Sequence, residues 1–434
     1  EGSALQALLD NLGPDTIEDA IRGIAVGNRK FYEKGDCIGA GAFGQVFLGT
    51  VKKNVTTPLG NNLTENQNVA IKLIPIPGEG LEGRAENLWG IYAELSFLVW
   101  LKDHPHPNLL PMLDVFIDEL SIKKADVSLA KWMLYDAYWG SKKNVAKGPA
   151  VAIVMPAMDY SLPNFGENME AIDVKEALRS LANGLAHIHD NDMVHADVKF
   201  DNTLYKQRTV EEGGDLLQVA DFGTLQTVGS KYQRRAGTPG YMAPEIENNQ
   251  MFDQKADVWS FGVIVYQLQT GEQMNGNHVL QKAKNGSLKR KHLVSADDSY
   301  DAGWKDLCLS CLSVDPRDRP TMLEILDHPW IQSNERALAT PAHMAGLIIL
   351  CTYHRMLEVV QVAQKLGIPM STVAASTPIE VTLVAQAGGP GKNVKTVVPV
   401  YKWLKAANVH TVGDLAPYLA SLPVGLQNYV QRAF

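Results

Sequence analysis

Cysteine is scarce in this chain. The four present in 434 residues, Cys37, Cys308, Cys311 and Cys351, form no paired framework, which excludes a small disulfide-held scaffold and suits a reducing compartment. Cys308 and Cys311 make a CxxC, but no second pair or histidine cluster accompanies it, so a metal or redox role is not expected. Long apolar runs are missing as well. "MAGLIILC" from Met344 is too short to cross a bilayer, and "ALQALLDNL" from Ala4 lacks the basic flank of a secretion signal. A soluble, cytoplasmic protein with no transmembrane segment is therefore expected. Nor is there an excess of positive charge: 40 Lys and Arg stand against 48 Asp and Glu, a net charge of -8. No nucleic-acid partner is expected, and any anion this chain binds must be held locally. The opening Glu1-Gly2-Ser3 reads as an added leader, with the natural start elsewhere.

What is present is ordinary globular material, 45% hydrophobic and 20% charged, in a length that suits two or three domains. From Ala4 to Arg29 apolar residues recur at helical spacing, interrupted at Gly13 to Asp15, so residues 1–30 are expected to form a helical extension. Phe31 to Leu73 changes to short β-branched and aromatic runs separated by Gly and Asn, the texture of an antiparallel sheet. "NLWGIYAELSFLVWLK", Asn87 to Lys102, returns to helical period and ends at "HPHPN". Beyond "VAIVMP" the pattern is mainly helical to about Ile331. Strands followed by helices give an α+β chain, with a sheet-rich lobe at 31–158 and a helical lobe at 159–333. After the polar connector "QSNERALATPAH" an additional all-helical region is expected at 337–434.

The candidate chemistry starts at "IGAGAFGQVF". Glycines at 39, 41 and 44 would let a turn approach phosphate closely, because a Cβ there would keep backbone amides from the anion. A similar spacing opens dinucleotide-binding folds, but there it leads into a helix, whereas "QVFLGTV" continues as a strand. "VAIK" then places Lys72 among apolar residues on a strand, where an ammonium needs an anionic partner. Helical phase favours Glu94, in "IYAELSFL", over the competitor Glu86.

Further on come "MVHADVKFDN", with His195, Asp197, Lys199 and Asn202, then "VADFG", with Asp221 to Gly223, and "GTPGYMAPE", Gly237 to Glu245. "DVWSFGVIVYQLQTGE" from Asp257 and "DPRDRPT", containing Arg319, follow. In this order, over roughly three hundred residues, they resemble the eukaryotic-type serine/threonine protein kinase family. The resemblance implies a bilobal protein-kinase fold, with ATP and Mg²⁺ as cofactors and protein substrates as partners. It implies that Asp197 orients the substrate hydroxyl, that Lys199 neutralises the γ-phosphate, and that Lys72, braced by Glu94, holds the α- and β-phosphates. Asn202 and Asp221 would be the metal ligands. ATP would lie against Gly39, Ala40, Gly41, Ala42, Phe43, Gly44, Val46 and Ala70, with Met155 at the back of the adenine pocket, Pro156 offering a carbonyl and Met158 an amide. Glu245 with Arg319, and Asp257, would serve as architecture.

One position departs from the family's pattern. Ala196 stands where an arginine usually receives an activation-segment phosphate, so activity is expected not to depend on such a phosphate, although Lys231, Arg234 and Arg235 could order the segment around an anion. Three readings are compared. A serine/threonine kinase needs every catalytic type, and all are present. A catalytically impaired scaffold binding nucleotide and a partner needs at least one lost. A small-molecule kinase has no use for "GTPGYMAPE". Helical appendages and the missing arginine resemble effector kinases that intracellular bacterial pathogens inject into the host cytoplasm. The broad apolar face of "MAGLIILCTYHRMLEVVQVA", with the stripe in residues 4–29, suggests a homodimer.

Overall fold

Period-two alternation builds the sheet that carries much of the chemistry. The structure, a computed structural model, describes residues 14–333 apart from 42–43, 80, 82–83, 125–128, 162–173, 207–215, 230–235, 271–277 and 294–302. The all-helical region expected at 337–434, with its dimer contact, lies outside the described residues. So do Ala42, Phe43, Lys231, Arg234 and Arg235.

The chain divides into two compact units: Glu1–Asp159 with His187–Ala196 and Tyr205–Gln233, and Tyr160–Ala186 with Asp197–Leu204 and Arg234–Phe434. Among the described residues the first begins with helix α1 (Pro14–Ile24), whose initial proline costs no intrahelical hydrogen bond. Strands β1 (Tyr32–Gly41), β2 (Gly44–Val51), β5 (Asn68–Pro75), β6 (Asp114–Lys123) and β8 (Val145–Pro156) form an antiparallel sheet in the order β1-β2-β5-β8-β6. A small hairpin, β3 (Val55–Thr56) and β4 (Asn62–Leu63), interrupts it, and β7 (Ser141–Lys142) pairs with β8. Helix α2 (Arg84–Asp103) follows β5.

One sheet face carries Val69, Ile71 and Leu73 of β5 and Ala150, Ala152 and Val154 of β8, packed with Phe116, Leu120 and Ile122 of β6. Helix α3 (Leu129–Trp139) lies on that face and buries Trp132 and Tyr135 in it. This helix was not singled out from the sequence, because eleven residues between two strands read as a connection until their aromatics find a sheet to cover. The opposite face follows from alternation and register. Val46 lies across from Lys72, Lys72 from Ile153, Leu48 from Ala70, and Ala70 from Met155. Val46, Ala70, Lys72 and Met155 therefore share the face turned away from the aromatic cluster.

In α1, Ile17 and Ile21 are buried, and the helix packs against α2. This part of the apolar stripe, expected to be open to a second copy, is covered by the chain itself. Strands β9 (Met193–Val194) and β10 (Gln226–Thr227) pair antiparallel, which fixes the start of the segment after Asp221. Leu216–Val219, just before Asp221, is tied to the turn after α2: Leu110 and Val219 amides bond to Val219 and Asn108 carbonyls at 2.9 and 2.8 Å.

The second unit is helical. It holds most of helix α4 (Val174–His189), with α5 (Lys255–Thr270), α6 (His278–Lys284) and α7 (Gly303–Cys311), and the short helices Met322–Leu326 and Pro329–Gln332 follow α7. Every residue of α5 after Lys255 is buried, as expected for a helix that is apolar on all sides. Gly262 makes that packing possible: a Cβ there would fall 2.6 Å from the Cβ of Cys311. Cys308 and Cys311 are both fully buried on α7, and burial pushes the Cys311 thiol up to about 12, away from the reactive thiolate. Among the described residues no helix is long and apolar enough to cross a membrane.

Two glycine substitutions should move stability in opposite directions. Gly262→Ala is expected to lose about 1–3 kcal/mol through overpacking. Gly23→Ala, with nothing within 4 Å of the added methyl, should gain up to about 1 kcal/mol from helix propensity. Urea midpoints of the two variants beside wild type measure both, and a neutral Gly262→Ala would contradict the packing described.

Candidate active site

A lysine is rarely left inside a protein without anions, and Lys72 is only 7% exposed. Its ammonium sits 2.6 Å from Glu94 Oε1 and 2.7 Å from Asp221 Oδ1. Strand β5 delivers Lys72, the second half of α2 delivers Glu94, and the turn after Leu216–Val219 delivers Asp221. Burial alone would lower the Lys72 pKa, but the charges of Asp221 and Glu94 outweigh it and raise it above that of a free lysine. Burial pushes the Glu94 carboxyl up, while the Lys72 ammonium pulls it back. Of the two glutamates weighed on α2, Glu94 is the one in contact with Lys72.

Three features of this cluster were not anticipated. Asp221 adopts φ +61°, left-handed backbone that turns its carboxylate toward Lys72. A Cβ on Gly223 would lie 3.2 Å from Glu94 Oε2 and 3.4 Å from Asp221 Oδ1, so the glycine leaves room for the two carboxylates. Between them Phe222 is buried, its ring 4.7 Å from Phe97 of α2 and 5.7 Å, edge-on, from His195. An apolar contact thus fixes the position of a charged group. Small and aromatic neighbours of an aspartate were the available signal.

Of the glycines expected at a phosphate turn, Gly44 is demanded by the backbone itself. It has φ +152°, and a Cβ would fall 2.1 Å from the Leu73 carbonyl oxygen. Gly41 pairs with Gly44 to close β1 on β2. Gly39 is different: the nearest atom to an added Cβ is 3.9 Å away, so packing does not require glycine there. Pro156 lies opposite Val69 in the ladder, and Met158 is half-buried just beyond β8.

In the second unit Asp197 is buried and held at both oxygens. Lys199 Nζ donates to Oδ2 at 2.7 Å, and Thr238 Oγ1 donates to Oδ1 at 2.7 Å. Lys199 also donates to the Thr238 hydroxyl at 2.8 Å, which closes a three-membered ring of contacts. The Asn202 amide nitrogen donates to the Asp197 carbonyl oxygen at 2.9 Å, which turns its own oxygen away from the Asp197 backbone. The direct hold of Thr238 on Asp197 was not anticipated from the sequence. Asp201 is exposed. The Arg319 guanidinium forks onto Glu245 at 2.6 and 2.9 Å and donates to the carbonyls of Ser313, Lys255 and Val314. Asp257 is fully buried.

The chain matches the protein kinase domain family over residues 32–331. It belongs to that family, with a sheet-rich N-terminal part and a helical C-terminal part. Serine/threonine-protein kinase 33 of Mus musculus is 33% identical over 199 residues, 43% of this chain and 39% of that protein. Calcium/calmodulin-dependent protein kinase type 1 of Caenorhabditis elegans is 27% identical over 314 residues, 70% of this chain and 76% of that one. Serine/threonine-protein kinase dst1 of Dictyostelium discoideum is 25% identical over 335 residues, covering 76% and 38%. This chain thus spans about two-fifths of the length of the mouse relative.

The Arg319 fork yields a stability prediction. Arg319→Ala leaves the buried Glu245 carboxylate without its cation and should cost about 3–5 kcal/mol. Arg319→Lys should recover less than half of that, since one ammonium cannot replace five directed donors. Thermal unfolding of both variants measures the difference, and full rescue by lysine would show that charge alone matters.

Proposed function

We propose that this chain is an ATP-dependent protein kinase that transfers the γ-phosphoryl group to serine and threonine hydroxyls of protein substrates. The observation that carries the reading is the hold on Asp197. A carboxylate fixed at one oxygen by an ammonium and at the other by a threonine hydroxyl suits the orientation of an incoming alcohol and acceptance of its proton. Lys199 is then the cation at the transferred group. Phosphoryl transfer draws its rate from positioning and charge neutralisation, and both need rigid, pre-paired groups.

The residues fit the cofactors this reaction needs. Val46, Ala70 and Met155 on the sheet face of Lys72 suit an adenine ring, with the Pro156 carbonyl and Met158 amide at its edge. Glycine at 39, which packing does not demand, suits a close approach of triphosphate to the backbone of Gly39, Ala40, Gly41 and Gly44, a contact the family resemblance extends to Ala42 and Phe43. Lys72, braced by Glu94, would hold the α- and β-phosphates. Asn202 in the second unit and Asp221 in the first each carry the oxygen type that a hard divalent cation such as Mg²⁺ prefers, and such an ion would supply charge neutralisation for the phosphates. The relatives described above are eukaryotic, and an injected bacterial effector forms no part of this proposal.

Incubation with Mg²⁺, ATP and a basic protein substrate should yield phosphoserine and phosphothreonine without phosphotyrosine. Asp197→Asn should lower turnover by about 10²–10⁴; a variant that keeps more than about a tenth of wild-type turnover would remove Asp197 from this role. Lys72→Ala and Glu94→Ala should each abolish transfer, while Glu86→Ala should not.

Dependence on activation-segment phosphate should be absent. Thr224 donates its buried hydroxyl to the His195 carbonyl at 2.9 Å, and Val228 N donates to Asp192 O at 2.8 Å. Together with the β9–β10 pairing, these contacts order the start of the segment without an arginine at position 196. Phosphatase-treated enzyme, with dephosphorylation verified by mass spectrometry, should match untreated enzyme. A loss greater than tenfold would show that another cation receives a phosphate.

A further inference from the structure

The N-terminal helix makes a connection that the kinase reading leaves unused. Arg84 is the first residue of α2, at the end where the helix dipole disfavours a cation. Its guanidinium is nevertheless almost fully buried, so something must justify it. Arg84 Nη1 donates to Asp15 at 2.8 Å, Nη2 makes a short contact with Glu18, and Nε reaches the Pro77 carbonyl. Both carboxylates belong to α1. The Glu18 side chain is 17% exposed and that of Asp15 88%, so Glu18 is the partner less screened by solvent. On the same side of α1, Ile17 and Ile21 are buried as it packs on α2.

The other end of this segment is fastened to the sheet. Gly27 N donates to the Val115 carbonyl at 2.7 Å, and Val26 bridges Phe116 of β6. A Cβ on Gly27 would fall 2.2 Å from Asp114 Oδ1 and 2.7 Å from the Val115 oxygen, so the chain can lie this close only as glycine. Asp114 in turn accepts the Tyr32 hydroxyl at 2.6 Å, with both side chains buried. Residues 14–32 therefore run as a strap from the start of α2 to strand β6. Glu94 lies ten residues along α2, about 15 Å from Arg84.

We infer that α1 is an intramolecular positioning element for catalysis, which holds the N-terminal end of α2 through Arg84, Glu18 and Ile21 so that Glu94 stays in reach of Lys72. A helix gripped at one end by the strap and near its middle by Lys72 cannot swing without breaking a buried ion pair. Arg84 and Glu18 act through Glu94 and touch neither ATP nor substrate. This role rests on the kinase reading for its consequence, but not for its geometry.

The test uses full-length Arg84→Ala, Glu18→Gln and Asp15→Asn, assayed well below their unfolding midpoints, with kcat separated from the KM for ATP. Arg84→Ala and Glu18→Gln should lower kcat at least tenfold, while Asp15→Asn should change it less than threefold. The reversed pair Arg84→Glu with Glu18→Arg should recover much of the loss. A purely structural contact would lower the midpoint and leave the kcat of the folded enzyme within twofold of wild type, which would overturn the inference. If Arg84→Ala does not yield folded protein, Ile21→Ala, which removes the apolar grip alone, carries the same expectation at smaller size. Amide hydrogen exchange of Leu88–Leu101 gives a reading independent of turnover. Faster exchange there in Arg84→Ala or Ile21→Ala supports the strap even if the wild-type chain transfers no phosphate, and unchanged exchange sinks it.

Discussion

The first unit depends on one buried charge. An ammonium at Lys72 cannot be left unpaired away from water, and two carboxylates from distant parts of the chain must converge on it. That requirement fixes the rotation of α2, since only one of its faces can offer Glu94. It also fixes the backbone at Asp221, which takes a left-handed conformation to arrive. The apolar contacts of Phe222 with Phe97 and His195, and the bare Cα of Gly223, are what allow the third partner to stay. The sheet and its aromatic core supply a platform stiff enough to hold Lys72 still.

The second unit solves a similar problem with Arg319. Its guanidinium is fully enclosed, so each of its hydrogens needs an acceptor, and Glu245 with three backbone carbonyls provides them. Trp259 lies beneath it, with the guanidinium carbon 5.1 Å from the ring centre. The fork joins the helix turn Pro244–Glu247 to the short turn before Met322–Leu326. Asp197, in the same unit, is tied by Thr238 to the segment just upstream of that turn.

Much of this was legible in the sequence, for specific reasons. Helical phase reports faces, so the choice of Glu94 over Glu86 as the contact of Lys72 follows from periodicity, whereas Val46, Ala70 and Met155 came from the family resemblance and their shared face with Lys72 from strand register. The ordered motifs report the family. What periodicity cannot report is pairing between elements far apart in sequence. The pairing of Arg84 with Asp15 and Glu18 had no sign in the sequence, because nothing local says that α1 and α2 meet. Helix α3 was hidden for the same reason. The stripe of Ile17 and Ile21 was visible, but its occupant was misjudged: an apolar face states that it must be covered and not by what. Gly27 carried a usable sign, since a glycine outside any turn often marks close backbone approach.

Ala196 holds a further consequence. It is buried, with φ +64°, a conformation that costs an alanine about 1–2 kcal/mol. No hydrogen bond of its own side chain can repay that strain, so the surrounding strand pair and the His195 contacts impose the shape from outside. The loop is thus sprung by its frame and not by its occupant. Under the proposed function, its output would be metered by the supply of nucleotide and substrate, with no covalent latch at this position to wait for.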